Sequence, residues 1–424
     1  MKQLHSFKMH IKLLAAAILS GLLLVAFVPG GSTAALAAGT PIGGGIGTPT
    51  TWTIAGSPYI VSGDVFVTAP LTIEQDVIVK LLPGSRLNVF TTIHTQGALG
   101  HPVYITSIKD DAVGGDTNGD GSASSPKAGD WQCICINGVG EFSHTVIRYA
   151  GEEIADGAGG WGGYKYESNR YYPTLYAAHG TRLSMDNVVL QHGSVGIHAM
   201  SWLQKTPQIS ITHSTIEGMS RAAIMAGMWI GFPPYDHIIS ITDSVLRDNG
   251  HGLLLERSTI DISGGSITGN EVGIEFRETS GRLYRNIIYN NGIGIVAHSE
   301  ILMEQNSIFS NRDYGINAES MTTNLDARNT WWGHASGPHH ASNPFGQGNA
   351  VTDHVNYWPV LDFPLRTDTN VLELPIGEEL VVPVSPMINY YLKVRPEFGR
   401  NLIIRMDTQA NVTVELFASP NRQP

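Results

Sequence analysis

Cysteine is nearly absent from this chain: two residues in 424, Cys133 and Cys135. So few exclude a disulfide-dense scaffold and a cysteine-rich zinc module. Charge is scarce as well, at 15% of residues, against roughly a quarter in ordinary globular domains. What charge there is leans acidic, with a formal net value of −11. A chain of that sign displaces few counterions from a phosphate backbone, which argues against nucleic acid as a partner. Apolar runs long enough to approach a membrane span occur in one place only, near the N-terminus. Glycine, by contrast, is plentiful at 48 residues, and hydrophobic residues reach 42%. That combination points to a sizeable core enclosed by many turns rather than many helices.

The N-terminal run extends from Leu13 to Val28, behind Lys2, Lys8 and Lys12, and the small residues Ala35 and Ala37 follow it. Basic start, apolar centre and small-residue end make up the plan of a secretory signal. At about 16 residues, broken by Gly21 and closed by Pro29, the run falls short of the roughly 20 needed to span a bilayer. Residues 1–38 are therefore expected to be a cleaved leader, 39–50 a glycine-rich linker, and the mature chain a secreted or cell-surface monomer without an anchor.

The dominant signal is a repeat. A small residue followed by an aliphatic one recurs at Gly196-Ile197, Ala223-Ile224, Gly252-Leu253, Gly273-Ile274, Gly294-Ile295 and Gly315-Ile316, with Leu175 upstream. The last three steps are each 21 residues, and the two longer steps before them hold insertions. A second anchor precedes each first: Val189, Ile216, Leu246, Ile267, Ile288 and Ile308. If the first anchors face inward, period two turns Ala199, Ala226, Leu255, Phe276, Ala297 and Ala318 inward too, and Val195, Ala222, His251, Val272, Ile293 and Tyr314 with them. Asn249, Asn270, Asn291 and Asn311 fall in the intervening turns, where asparagine tolerates the backbone and can bond its counterpart one repeat on. A unit of this size cannot close a core alone, but stacked coils can, with strands about 4.8 Å apart. The expected fold is all-β: a right-handed parallel β-helix of roughly eleven coils over residues 51–361. After Pro364 five short alternating segments suggest a small antiparallel β unit, residues 365–424.

The chain here resembles secreted bacterial right-handed parallel β-helix repeat proteins, related in architecture to pectate lyases. The resemblance rests on Ser57-Pro58-Tyr59, Val65 to Val67 and Leu71 to Glu74 at the start, on the loop Lys109 to Trp131, and on Asn329 to Gly333, Ser336 to Pro338 and Tyr357 to Pro359 at the close. The tail is similar to the first half of a pre-peptidase-type β-sandwich module. The resemblance implies an architecture shared by lyases, hydrolases, epimerases and binding proteins, and fold alone selects none of them.

Candidate chemistry lies in three places. Asp116, Asn118 and Asp120 have the D-x-N-x-D-G spacing of a calcium loop, whose alternate oxygens turn toward a hard cation. Lys127 stands where an EF-hand has glutamate, so Asp110, Asp111 or Asp130 would complete the shell, and a structural role for Ca²⁺ is expected. On the outward face of the anchor sheet, Glu256, Arg277, His298 and Glu319 should form one column, with Glu275 beside it. Glu256 and Glu275 are spaced as a glycosidase pair, Arg277 suits a substrate carboxylate and His298 a proton. The competing expectation is an alternating-charge ladder. Aromatic residues in three insertions, Trp161, Trp202, Trp229 and Tyr235, should rise beside Tyr176 and His198 and offer faces for sugar rings; they could instead pack on one another. Cys133 and Cys135 are expected to be unpaired, since a bridge two residues apart strains its geometry. Together these features lead to two expectations. One is an exported protein that binds, and in its enzymatic form cleaves, an extracellular polysaccharide in a groove along one parallel sheet, as hydrolase or lyase. The other is a non-catalytic adhesion or structural protein.

Overall fold

The computed structural model describes residues 39–151, 153–154, 164–166, 169–200, 205–227, 237–362, 364, 371–373 and 391–393. The leader expected at 1–38, the residues Trp161, Trp202, Trp229 and Tyr235, and most of 365–424 lie outside them.

Each coil passes through three short strands, and each strand pairs in parallel with its equivalent in the next coil. The first anchors are register partners in an unbroken row: Leu175, Ile197, Ile224, Leu253, Ile274, Ile295 and Ile316. All are fully buried. The row continues upstream through Val65, Leu87 and Ile134. Two of the three strands in each coil join an 18-stranded sheet that carries both sets of anchors; the remaining strand builds a separate sheet, here called the third, of ten strands from Thr50–Trp52 to Leu302–Glu304. Leu183, Ile209, Ile239 and Ile260 stack inward in register, and the side chains between them, Ser184, Ser210, Ser240 and Asp261 among them, face outward. Burying each aliphatic side chain contributes about 1.5–3 kcal/mol, and the stack is continuous from coil to coil. The chain is thus a right-handed parallel β-helix, as the repeat implies.

Corners are set by backbone chemistry. Each coil leaves the third sheet through one residue at positive φ: His144, Asn187, His213, Asp243, Gly264, Arg285 and Gln305 lie between 42° and 67°. Asn, Asp, His and Gly dominate because they bear the left-handed conformation at least cost. At the next corner the asparagines form a ladder along the axis. The side-chain amide of Asn249 donates to Asn270 Oδ1 (3.0 Å), Asn270 to Asn291 (3.0 Å), Asn291 to Asn311 (2.9 Å) and Asn311 to Asn349 (2.8 Å). Each Oδ1 also accepts the backbone N–H of the preceding rung. Asn349 comes from the closing segment, whose backbone bridges Trp331 to Ser307 and Val351 to Ile316. With Trp332 fully buried, that segment covers the sheet edge that would otherwise recruit another chain. Trp358 does not share the role, being 66% exposed.

Five expectations need correction. Residues 39–50 are not a linker: Thr40–Ile46 pairs in parallel with Tyr59–Val67 and belongs to the first coil. Leu190, not Val189, is the register partner of Ile216, and Val189 pairs with Thr215; adjacent aliphatic residues made the choice of face ambiguous. The row Val195, Ala222, His251, Val272, Ile293 and Tyr314 does not face inward: none joins the main core, and Val195 and Ala222 pack with Tyr171, Met225 and Leu254 apart from it. The corner before each anchor breaks the alternation, so the small residue and the anchor both face in. A Cβ on Gly252 would overlap the carbonyl oxygen of Gly273 in the next coil, which explains the small residue. Cys133 and Cys135 form a disulfide, with Cα atoms 5.6 Å apart, a separation within the ordinary range for a bridge. In the tail, Val371–Glu373 and Tyr391–Lys393 pair in parallel rather than antiparallel. Alternation fixes which side chains share a face and is silent on strand direction.

Candidate functional site

On the outward face of the anchor sheet the residue after each anchor stacks in register, while of the expected column Glu256, Arg277, His298 and Glu319 only the first two are strand partners. Cys135, Tyr176, His198, Met225, Leu254, Glu275, Val296 and Asn317 form one column, and Glu256 stands opposite Arg277. The centre of this column is covered. Tyr171, from the first insertion, is fully buried, stacks on His198 with ring centroids 6.3 Å apart, and donates its hydroxyl to Met225 Sδ at 2.9 Å. Insertion strands Glu153–Ile154, Tyr164–Tyr166 and Asn169–Tyr171 form an antiparallel sheet. Tyr176 and His198 meet edge to face at 6.2 Å, and both are buried. Burial, assisted by the charge of nearby His237, pushes the His198 imidazole down to about 3, so it is neutral at ordinary pH. These rings pack on one another rather than lining an open groove.

Glu275 is the hub of the charged end. Its Oε2 lies 3.3 Å from His251 Nε2, and its Oε1 accepts from Arg277 Nη2 at 2.8 Å and Nε at 3.2 Å. His298 Nε2 lies 3.5 Å from the same Oε1. The hydrogen bond from His251, with Arg277 and against the cost of burial, holds the carboxyl down to about 2. An acid that strong is ionised at every ordinary pH, so it cannot donate a proton to a leaving group. Arg277 is committed to the same carboxylate.

A pocket of about 250 Å³ lies elsewhere, on the outward face of the third sheet. His94, Glu141, Ser184 and Ser210 are successive register partners, and beside them run Gln96, Ser143, Asp186 and Thr212. All but Gln96 line the pocket. Burial alone would raise the Asp186 carboxyl; hydrogen bonds with His213 Nδ1 (3.0 Å), Thr212 Oγ1 (2.7 Å) and Asn187 Nδ2 (3.0 Å) outweigh it and hold the group below its usual range. Glu141 is exposed, diagonal to Asp186 on the neighbouring strand. The trough therefore presents hydroxyls at one coil's spacing, about 4.8 Å, with two carboxylates among them. Sequence reasoning missed it. The available signal was the outward pattern Ser184-x-Asp186, Ser210-x-Thr212 and Ser240-x-Thr242.

In the acidic loop, Asp111, Asp116 and Asp120 bring carboxylate oxygens within 4.8 Å of one another. Asp110 is taken by Arg148 and Thr106, and Asp130 by Lys109 and Ser107, so Asp111 is the one that joins the cluster. Asp116 also accepts the backbone N–H groups of Gly119 and Gly121, each at 2.8 Å. Asn118 turns its amide N–H toward Asp120, at 2.8 Å. Buried Lys80 donates to Gly115 O at 2.7 Å, and its positive charge partly balances the cluster.

Winding, ladder and capped end together define the class: a right-handed parallel β-helix repeat protein of pectate-lyase-like architecture. Residues 164–355 match the family described as periplasmic copper-binding protein (NosD). Among solved structures, the chain is similar to two mutants of the periplasmic alginate epimerase AlgG. They are 11% and 12% identical, with 72% of this chain and 76% of theirs covered and TM-scores of 0.47 and 0.44. It is also similar to the A-module of the Azotobacter vinelandii mannuronan C-5 epimerase AlgE6, at 12% identity, 75% and 90% coverage and a TM-score of 0.33. No curated protein matches the sequence. Among the described residues, no helix is long and apolar enough to cross a membrane.

Proposed function

We propose that this is an exported polysaccharide-binding protein whose glycan lies along the third sheet, parallel to the helix axis. The observation that carries the reading is the trough: a cavity of about 250 Å³ lined by polar side chains from four successive coils, with Ser184 and Ser210 in register on adjacent strands. A sugar unit is about as long as the coil spacing of about 4.8 Å, so successive units meet polar side chains of successive coils. Ser184, Ser210 and Thr212 exchange hydrogen bonds with sugar hydroxyls, while His94 offers a ring edge. Glu141 and ionised Asp186 disfavour uronates by like-charge repulsion and favour neutral or amino sugars. Export is supported by the leader pattern and by the match to a family whose description is periplasmic.

Glu275, ionised with a carboxyl near 2, is not suited to protonate a leaving oxygen at that cluster. The loop at Asp111, Asp116 and Asp120 is proposed to hold Ca²⁺ as a structural ion. Affinity electrophoresis through gels containing neutral, amino-sugar and uronate polysaccharides tests the binding site. Ser210→Trp fills the trough and should abolish retardation by a neutral or amino-sugar polymer. Retardation that survives the substitution, or none with any polymer, rejects the reading.

A further inference from the structure

Ser320 follows the last anchor strand, Tyr314–Asn317, in a turn closed by the Met321 N–H bonding to Ala318 O at 3.0 Å. It is exposed. Its Oγ lies 2.6 Å from Nδ1 of His298, which belongs to the preceding coil. The other ring nitrogen of His298, Nε2, is buried without a hydrogen-bond partner, and Glu275 Oε1 stands 3.5 Å from it. A buried ring nitrogen in want of a partner needs an explanation. A closure of a few tenths of an ångström would supply one, and such bonds are commonly long before substrate binds.

We propose that Ser320, His298 and Glu275 form an acyl-transfer site that hydrolyses carboxylic esters, with Ser320 as nucleophile, His298 as base and Glu275 as the positioning residue. The roles follow from the geometry. If Nδ1 accepts the Ser320 hydroxyl proton, the ring carries its own proton on Nε2, on the side of Glu275. An ionised carboxylate there fixes that tautomer and stabilises the imidazolium that forms. Arg277 shares Oε1 of Glu275 and helps hold that carboxylate ionised beside His298.

In the first half-reaction Ser320 Oγ bonds to the acyl carbon while its proton passes to His298 Nδ1. The ester C–O bond then breaks, the departing alcohol oxygen takes that proton, and an acyl-serine remains. In the second, water bonds to the acyl carbon and gives a proton to His298. The acyl–Oγ bond breaks, the proton returns to Ser320, and a carboxylic acid leaves and ionises. No oxidant, metal or further reactant is consumed. The site lies on a different sheet from the proposed glycan trough and stands without it.

The test uses the purified full chain, a fluorophosphonate probe and p-nitrophenyl acetate. The expected result is a phosphonyl adduct on Ser320, found by peptide mass spectrometry and lost in His298→Gln. Hydrolysis of p-nitrophenyl acetate should fall roughly 100-fold in Ser320→Ala. Absence of the adduct on the wild-type chain, or undiminished hydrolysis by Ser320→Ala, overturns the proposal. The adduct is read on the wild-type protein, so a misfolded variant does not blur the outcome. Neither measurement involves glycan, so failure here is distinguishable from failure of the binding site.

Discussion

Removing one rung of the asparagine ladder should weaken it in one direction only. Asn270 Oδ1 accepts both the backbone N–H and the side-chain amide of Asn249, each at 3.0 Å. Its own amide donates to Leu246 O (3.1 Å) and to Asn291 Oδ1 (3.0 Å). Asn270→Ala therefore leaves the buried Asn249 N–H without an acceptor, a loss of about 1–3 kcal/mol, or roughly 5- to 150-fold in local opening. The backbone N–H of Asn291 bonds instead to Asn311 Oδ1 and should hold its protection. Amide hydrogen exchange resolved by residue reads both. Because a coil contacts only its neighbours, unfolding of such a chain need not be two-state, and local exchange is the better observable. Equal acceleration at Asn249 and Asn291, or none at either, would refute the ladder's direction and its energetic role.

Two further outcomes follow from the charged groups. The Glu275 carboxyl falls from its ordinary 4.5 to about 2 in the folded chain. Its contribution to stability is therefore complete above the unfolded value and disappears as pH drops through about 2. Glu275→Gln should flatten the acid limb of a pH–stability curve between those limits, and an unchanged limb would show that the cluster is energetically idle. If Asp111, Asp116 and Asp120 hold Ca²⁺, EDTA should lower the melting temperature of the wild-type chain but not of Asp116→Ala. A melting curve indifferent to EDTA, with no metal found by elemental analysis, rejects the ion.

The repeat was legible because its strongest constraint is local. A small residue must precede each anchor where the next coil's carbonyl approaches, so Gly196, Gly252, Gly273 and Gly294 mark the winding directly. Asn249 to Asn311 were legible for a similar reason, since a buried turn amide needs an equivalent partner one coil on. Val189 was misplaced because two aliphatic neighbours leave the face undecided. The outward turn of Val195 and Ala222 was hidden because period two holds within a strand and fails at a corner. The trough escaped notice because its groups are ordinary Ser, Thr, His, Glu and Asp residues spread from His94 to Thr212. No local motif joins them; only the pairing of four coils does. Ser320 lies just past the last anchor strand, and its nearness to His298 becomes visible once Ile295 and Ile316 are placed in register.

The most direct measurement of the functional account is a hydrogen-exchange footprint of the chain with and without a bound neutral or amino-sugar oligosaccharide. Protection confined to residues 92–96, 139–144, 182–187 and 208–213 is the result predicted. Protection on the outward side of residues 251–256, 272–277 and 293–298, with the third sheet unaffected, would contradict it.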